Sequence, residues 1–401
     1  MKSKILALAI LAFTAAAVGL YPQLQGAATS KPVAATPPAP DPLANTKPRV
    51  EVAFVLDTTG SMGGLIQAAK EKIWSIASTM AAAQPAPEIR MGLVAYRDRG
   101  DAYVTRVVDL SSDLDSVYAT LMDFQAQGGG DGPESVNQAL HDAVQKLSWS
   151  RDDQTYRVIF LVGDAPPHMD YPNDVKWPAT LKAAQSRGIR VNTIQCGQMP
   201  ATKEQWRKIA DLGQGSFFQV EQAGSAVAIA TPYDERLAKL SAELDGTRLY
   251  YGDEKDKEKQ DRKLEATKKL NESASVTAKA RRATFNASKG GEKNLLGEKE
   301  LVDDVTSGRV DLNAIEPEEL PAPLQAMSAG EQKAVITATG ERRADLKRQM
   351  KDLADQRAAY LRDKVEESGA AEGSLDEGIF HAVREQAGAA GLEYDAAAPA
   401  Y

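Results

Sequence analysis

The fold of this 401-residue chain is decided by the stretch Val50-Glu-Val-Ala-Phe-Val-Leu-Asp-Thr-Thr-Gly-Ser-Met62. Its first seven residues are apolar with one exception, which predicts a parallel strand buried on both faces. A polar turn follows at once, and the alternation Asp57-x-Thr59-x-Ser61 lets this turn direct three oxygen donors to one side. We therefore predict a buried strand that ends in an oxygen-rich loop.

After this loop, amphipathic helices alternate with apolar strands up to about residue 230. Further strands are predicted at 89–96, 103–110, 157–162, 190–195 and 216–220, with helices at 62–83, 114–124, 134–147, 177–186 and 203–212. Strands and helices that alternate in this way form an α/β fold, a mostly parallel, Rossmann-like sheet with helices on both faces. Ligands of such sheets bind at the carboxyl ends of the strands, so we expect a functional site in the loops there.

Two more loops bring oxygen donors to that edge. Asp164 ends one of the predicted strands, and a run of three glycines precedes Asp131, Glu134 and Ser135. Carboxylates and hydroxyls are hard donors, which suit Mg²⁺, Mn²⁺ or Ca²⁺ better than thiophilic metals. Any one of these loops alone could be an ordinary turn or a helix cap. Three of them at one edge predict a divalent-cation site.

The spacing Asp57-x-Thr59-x-Ser61 after an apolar strand resembles the Asp-x-Ser/Thr-x-Ser signature of von Willebrand factor A domains, and Asp164 resembles the second carboxylate of that family. The resemblance covers residues 49–229. It implies a metal-ion-dependent adhesion site, in which the two hydroxyls bind a divalent ion directly and the carboxylates often act through water. Mg²⁺ is the first choice, with Mn²⁺ or Ca²⁺ as alternatives. An open coordination position then takes an Asp or Glu carboxylate from a protein partner, and the module is expected to be non-enzymatic.

The middle loop departs from the family pattern, which usually has a threonine there. Asp131 is the first substitute in this chain, and Glu134 and Ser135 are further candidates. An added carboxylate lowers the positive charge of the site, which would weaken its hold on acidic partners. Glu134 could instead simply face a helix dipole, and Ser61 could cap the next helix. His168, in the loop that follows Asp164, could also be a ligand but is expected to be solvated.

An enzymatic alternative is a phosphotransferase of the haloacid dehalogenase type, in which Asp57 would be a nucleophile activated by Mg²⁺. Enzymes of that type are similar to this chain in having an aspartate after the first strand and a later Gly-Asp. They usually carry a second aspartate two residues after the nucleophile, where this chain has Thr59. Asp170, the next acid after Asp164, lies one residue too far along for their pattern. A binding function is therefore favoured over catalysis.

The N-terminus has the pattern of an export signal. Lys2 and Lys4 precede an uncharged, apolar run at 5–20, and small residues suited to signal peptidase lie at 15–17 and 26–28. Because the run could also remain as a membrane anchor, residues 1–28 are predicted to be a signal peptide or an N-terminal anchor. Residues 29–48, rich in proline and alanine, are a predicted linker. The product would be periplasmic, secreted or attached to the membrane through its apolar run.

The predicted von Willebrand factor A domain covers residues 49–232. The composition of residues 233–401 differs from that of this domain. Charged helical patterns at 252–270 and 335–365 predict a largely helical region with disordered stretches, coiled-coil in part. Over the whole chain, 48 basic residues against 56 acidic residues give a formal charge of −8, which argues against a nucleic-acid partner. The single cysteine, Cys196, cannot form an intramolecular disulfide and is predicted to be buried.

Overall fold

The computed structural model describes residues 48–130, 132–222, 229–370, 374–394 and 399. Its strands are β1 (Arg49–Asp57), β2 (Glu88–Tyr96), β3 (Thr105–Ser111), β4 (Thr155–Gly163), β5 (Ile189–Cys196) and β6 (Phe217–Val220). They form one sheet in the order β3-β2-β1-β4-β5-β6. Each strand predicted from the sequence is present, and the prediction of a mostly parallel sheet is confirmed.

Strand β1 lies at the centre of the sheet and pairs in parallel with β2 on one side and β4 on the other. Its side chains alternate between two hydrophobic cores, as the two-residue period of a strand requires. Val52, Phe54 and Leu56 contribute to one core, whereas Ala53 and Val55 contribute to the other. The strand is therefore buried along nearly its whole length.

Helices cover both faces of the sheet. One face carries α1 (Gly63–Ala81) and α2 (Leu114–Met122), and the other carries α3 (Val136–Lys146), α4 (Trp177–Ser186) and α5 (Pro200–Leu212). The edge strand β3 runs antiparallel to β2, because the short connection at 97–104 leaves no room for the crossover that a parallel pair requires. The carboxyl ends of the parallel strands meet at one edge, which is where the predicted site lies.

After residue 229 the described chain is mainly helical. The helices are α6 (Asp234–Asp245), α7 (Glu254–Ser273), α8 (Val276–Ala287), α9 (Glu292–Leu296), α10 (Leu301–Thr306), α11 (Ala322–Gln325), α12 (Ala329–Ser368) and α13 (Leu375–Gln386). The long helix α12 packs against the shorter helices α6, α8 and α10 rather than along one long partner as in a coiled coil. Phe285, Ile379 and Val383 belong to the same hydrophobic core as β1 and α1. Residues 229–370 and 374–394 are thus part of the folded body, where the sequence suggested disordered stretches.

A buried charged cluster joins the helical region to the sheet domain. Arg282 of α8 is fully buried. It donates to both carboxylate oxygens of Asp115 on α2, each at 2.6 Å, and to both oxygens of Asp245 on α6, at 2.8 and 3.0 Å. Arg248 lies near both aspartates, and Lys263 lies near Asp115. This group, which we call the Arg282 cluster, connects α2 of the sheet domain with α6 and α8.

The last helix, α13, packs on α1. Lys72 and Asp376 form a buried ion pair between the two helices, with Nζ 2.9 Å from Oδ1. Leu375 contributes to the core beneath α1. Beyond the end of α13, backbone hydrogen bonds of 2.8 and 3.0 Å join Gln84 to Glu393. Residues from both ends of the described chain therefore complete one core.

The predicted signal or anchor at 1–28 and the predicted linker up to residue 47 lie outside the described residues. Among the helices that the structure does describe, none combines the length and the apolar character needed to cross a membrane.

Candidate metal site

Three loops lie against one another at the carboxyl edge of the sheet. The turn after β1 contacts the glycine loop through hydrogen bonds from Gly60 N to Gly128 O and from Gln127 N to Thr58 O, both of 3.1 Å. Gly128 and Gly129 each have a φ of 79°, a conformation that glycine adopts without strain. The glycine run therefore has a definite role, which is to bring the second loop onto the first.

Asp57, the last residue of β1, is fully buried. Its Oδ1 accepts hydrogen bonds from the backbone N of Thr59 at 2.9 Å and from the Thr59 hydroxyl at 2.7 Å. Its Oδ2 is buried and has no hydrogen-bond partner among the described residues. Burial raises the pKa of Asp57 from 3.8 to about 7, against the lowering effect of the Thr59 hydrogen bonds. A carboxylate in such a surrounding is unfavourable unless a cation approaches it.

Gly163, at the end of β4, permits close packing behind Asp57. A Cβ atom at this position would collide with the hydroxyl of Tyr96 and would lie 3.0 Å from Oδ2 of Asp57. Burial raises the pKa of Tyr96 well above its ordinary value, so its hydroxyl remains protonated. Only glycine leaves enough room for both side chains here.

Ser61 and Asp164 are linked by a residue that no sequence pattern indicated. The amide Nε2 of Gln222, which follows β6, donates to Oδ2 of Asp164 at 2.7 Å and lies 3.4 Å from the carbonyl oxygen of Ser61. Ser61 lies in a short 3₁₀ turn, Gly60–Met62, with an exposed side chain, and it makes no capping hydrogen bond to α1. The alternative that Ser61 serves as a helix cap is therefore not supported.

Glu134 is buried beside the first loop. A Cβ atom at Gly129 would lie 3.1 Å from Cβ of Thr59 and 3.2 Å from Oε1 of Glu134, so both side chains flank this glycine. Oε2 of Glu134 is buried without a hydrogen-bond partner among the described residues. Burial, followed by the charges of Asp57 and other nearby carboxylates, raises the pKa of Glu134 from 4.5 to about 9. These contacts bring Glu134 to the candidate site rather than leaving it on the helix surface.

The other two middle-loop candidates have different outcomes. Asp131 lies outside the described residues. Ser135 is buried, and its hydroxyl donates to Oδ1 of Asp98 at 2.8 Å. The hydroxyl of Ser135 is thus engaged with a carboxylate next to the site.

His168 is buried, whereas the sequence suggested a solvated loop residue. Its Nδ1 lies 2.8 Å from Oδ1 of Asp170, and its Nε2 lies 3.4 Å from Oδ2 of Asp98. Its ring stacks on Tyr171 with a centroid distance of 3.9 Å. The two flanking carboxylates and the stacked ring give the third loop a fixed structure beside the site. No sequence signal indicated this packing, because Asp98 comes from a different loop.

The donors present fit a hard divalent cation. In the part of the chain that the structure describes, no three His, Cys, Asp or Glu side chains lie close enough to hold an ion by themselves. An ion at this edge therefore needs hydroxyl donors, which Thr59 and Ser61 can provide. The buried, unpartnered oxygens of Asp57 and Glu134 would gain a partner, and oxygen donors of these kinds match Mg²⁺, Mn²⁺ or Ca²⁺.

The haloacid dehalogenase alternative gains no support from the geometry. That alternative would call for a second aspartate two residues after Asp57. The residue there is Thr59, whose hydroxyl donates to Oδ1 of Asp57 itself. The side chain in that position therefore fixes the Asp57 carboxyl and offers no carboxylic acid.

Comparison with known proteins shows which family the sheet domain resembles. Residues 51–231 match the family model of the von Willebrand factor A domain. Von Willebrand factor A domain-containing protein 7 of Rattus norvegicus is 35% identical over 125 residues, which cover 31% of this chain and 13% of that protein. A putative ariadne-like RING finger protein of Acanthamoeba polyphaga mimivirus is 27% identical over 119 residues, or 30% of this chain and 11% of that protein. This chain thus spans only a small part of the length of these relatives.

Solved structures similar to this chain include proximal thread matrix protein 1 from the mussel byssus, with a zinc-occupied MIDAS motif. It is 16% identical, with a TM-score of 0.34, and the match covers 43% of this chain and 42% of that chain. The similarity in each of these comparisons is confined to less than half of this chain.

Proposed function

We propose that this chain is a non-enzymatic module that binds a protein partner through a divalent cation, because residues 51–231 match the family model of the von Willebrand factor A domain. Domains of this family generally mediate protein–protein interactions. The metal dependence rests on one observation, the two buried carboxylate oxygens, Oδ2 of Asp57 and Oε2 of Glu134, that have no hydrogen-bond partner among the described residues. The ionised form of such buried carboxyl groups is unfavourable by itself, and a cation at this edge would stabilise it.

The donors that we propose for the ion are Asp57, Thr59, Ser61, Asp131, Glu134 and Asp164. Ser135 is left out, because its hydroxyl is engaged by Asp98. When bound, Mg²⁺, or Mn²⁺ or Ca²⁺ in its place, supplies a hard positive charge that prefers oxygen ligands. Burial holds the carboxyl groups of Asp57 and Glu134 in fixed positions. These two groups would therefore determine where the ion lies relative to the other donors.

The proposed partner group is an Asp or Glu carboxylate that reaches the carboxyl edge of the sheet. Loss of its hydration is unfavourable unless the ion replaces the lost contacts, so binding should depend steeply on metal. The extra carboxylates of the middle loop, Asp131 and Glu134, reduce the positive charge that the partner meets. We therefore expect weak and readily reversible binding.

The test is thermal and chemical unfolding of the full chain with Mg²⁺ and with a chelator. A ligand that binds only the folded state stabilises it by about 2.7 kcal/mol at a concentration of roughly 100 times its Kd. Asp57→Asn and Glu134→Gln should each abolish the effect of metal. Both variants should be about as stable as the parent in chelator, because each replaces a buried carboxyl group, one of whose oxygens has no hydrogen-bond partner among the described residues, with an amide of nearly the same shape.

Asp211→Asn is the matched control, since Asp211 is an exposed aspartate on α5. It should keep the full response to metal. If Asp57→Asn and Glu134→Gln respond to Mg²⁺ as the parent does, the proposed site is wrong.

We also propose that the chain is exported, with residues 1–28 as a cleaved signal or a retained anchor. The support is the sequence pattern of Lys2, Lys4 and the apolar run at 5–20. Cell fractionation and N-terminal sequencing of the isolated chain distinguish cleavage from retention. A full-length chain recovered from the cytoplasm would contradict export.

A further inference from the structure

An open groove of about 420 Å³ lies beside the loops of the candidate metal site. We call it the Arg106 groove. The lining residues that matter here are Arg97, Tyr103, Arg106, Phe124, Gln125 and Gln127. No sequence motif pointed to this surface, and the metal site proposed above does not use it.

The Arg106 groove shares a wall with the first loop of the metal site. The hydroxyls of Tyr103 and Thr58 are 2.7 Å apart. Nε of Arg97 donates to the carbonyl oxygen of Thr58 at 3.1 Å, and the backbone N of Gln127 donates to the same oxygen at 3.1 Å. Since Thr58 lies between Asp57 and Thr59 in the chain, a ligand in the groove would be next to the metal donors.

Aromatic rings hold two guanidinium groups in the groove. Cζ of Arg97 lies 4.5 Å from the ring centroid of Tyr103, and Cζ of Arg106 lies 5.5 Å from the same centroid and 5.9 Å from that of Phe124. Arg97 is only 5% exposed, and its Nη2 donates to the carbonyl oxygen of Gln125 at 2.8 Å. Arg106 is exposed, and no carboxylate of the described residues lies within ion-pair distance of it. Its guanidinium is therefore positioned by the rings but available to a ligand.

The surroundings of the groove are basic. Its acidic residue, Asp123, is paired with Lys269 at 2.5 Å. Lys70 is also close, with its Nζ 2.9 Å from the carbonyl oxygen of Phe124. Arg97 and Arg106 line the groove and Lys70 and Lys269 lie at its border, on a chain whose formal charge is −8. The carboxylates of the metal site and the cations of the groove form adjoining regions of opposite charge.

We infer that the partner segment is an extended acidic peptide with two carboxylates, one directed to the metal site and the other to Arg106. This inference rests on the proposed function, because the first carboxylate requires the ion. A guanidinium can take a carboxylate through two parallel hydrogen bonds, and the stacked rings reduce the freedom that Arg106 would lose. When the first carboxylate is held, the second meets Arg106 at a high effective concentration. The groove would thus select partners with a second acidic residue at the right spacing.

The experiment measures binding of end-blocked, fluorescent peptides to the full chain. One peptide has a single aspartate among glycine and serine residues, and a matched series adds a second aspartate at increasing spacing. Mg²⁺ and chelator are compared for each peptide. With Mg²⁺, one spacing should bind about threefold to tenfold more tightly than the single-aspartate peptide, and added salt should reduce this preference.

Arg106→Gln should remove the preference for the second aspartate and leave binding of the single-aspartate peptide unchanged. Arg384→Gln is the matched control, because Arg384 is also an exposed arginine above an aromatic ring, that of Phe380, with Cζ 5.3 Å from the centroid. It should retain the preference. If both peptides bind through metal but Arg106→Gln keeps the preference, the groove inference is overturned and the proposed function stands. If neither peptide shows binding that depends on Mg²⁺ and on Asp57, the proposed function fails, and the groove inference fails with it.

Discussion

Replacement of Arg282 by methionine should strongly destabilise the chain. The guanidinium of Arg282 makes hydrogen bonds to Asp115 and Asp245 and donates to the hydroxyl of Ser241 at 3.0 Å. Methionine would fill part of the space but would leave two buried carboxylates without their main partner. Breaking a buried ion pair from one side costs about 3–5 kcal/mol. Arg248 and Lys263 remain near the same aspartates, so we expect the lower end, about 3 kcal/mol.

The assay is urea unfolding of the full chain, followed by tryptophan fluorescence. Trp74 is a suitable reporter, because it is buried and its ring lies 5.6 Å from that of Tyr118 and 5.9 Å from that of Phe285, at the contact between the sheet domain and α8. The matched control is Arg309→Met. Arg309 also binds two aspartates, but its side chain is 55% exposed, so its loss should cost at most about 1 kcal/mol.

A double variant separates lost charge pairing from lost packing. Adding Asp115→Asn to Arg282→Met removes one of the unpaired carboxylates, so the double variant should be less destabilised than the sum of the two single variants. If Arg282→Met costs no more than Arg309→Met, or if the two single effects simply add, the account of the Arg282 cluster is wrong.

Other regions of the structure give three further predictions. Gly163→Ala should destabilise the chain by roughly 1–3 kcal/mol and weaken its response to Mg²⁺, because the new Cβ would collide with the Tyr96 hydroxyl behind Asp57. Gly330→Ala is the control: nothing lies within 4 Å of its new Cβ, so it should be neutral or slightly stabilising. Burial lowers the pKa of Lys72 from 10.5 to about 8, so between these pH values the folded chain binds fewer protons than the unfolded chain. The free energy of unfolding should therefore rise with pH in this range. Denaturant titrations at several pH values should show this rise in the parent and not in Lys72→Met. Cys196 is 1% exposed, and burial raises the pKa of its thiol. A thiol reagent should therefore label Cys196 only as fast as the chain unfolds. Rapid labelling of the folded chain would contradict its burial.

The sheet could be predicted from the sequence because its signals are local. The apolar run that ends at Asp57, and the similar run that ends before Asp164, each determine a strand and the start of its loop within a few residues. The antiparallel direction of β3 is also explained locally, by the short connection before it. These features needed no knowledge of which distant residues pack together.

Several parts of the site could not be predicted, because they depend on contacts between distant segments. Gln222 is an ordinary polar residue in the sequence and gains its position only where β6 ends beside Asp164. His168 was expected in solvent, and its burial depends on Asp98 of a different loop, whose Oδ2 accepts from the Tyr171 hydroxyl and lies 3.4 Å from Nε2 of His168. Burial of Glu134 follows from the approach of the glycine loop to the first loop, which its own helical neighbours do not indicate.

The helical region was predicted as helical but not as part of the core. Its charged patterns resemble those of a solvated surface, and Lys263 and Arg282 stand in stretches that contain other basic residues. Their partner Asp115 is 167 positions from Arg282 in the chain. Local hydrophobic periodicity does not reveal a contact between residues so far apart in the chain. The sequence therefore suggested that the helical region is separate from the core of the sheet domain.

The packing of α13 against α1 has a consequence for the order of events during synthesis. The hydroxyl of Tyr394 donates to the carbonyl oxygen of Met80, a residue 314 positions earlier. Strand β1 and helix α1 leave the ribosome long before Leu375 and Ile379, which fill the same core. Until those residues are made, the apolar surface under α1 stays open to water and to other apolar chains. The growing chain therefore has a long interval in which a chaperone that binds apolar surface would find its site at α1, and this interval closes only when α13 arrives.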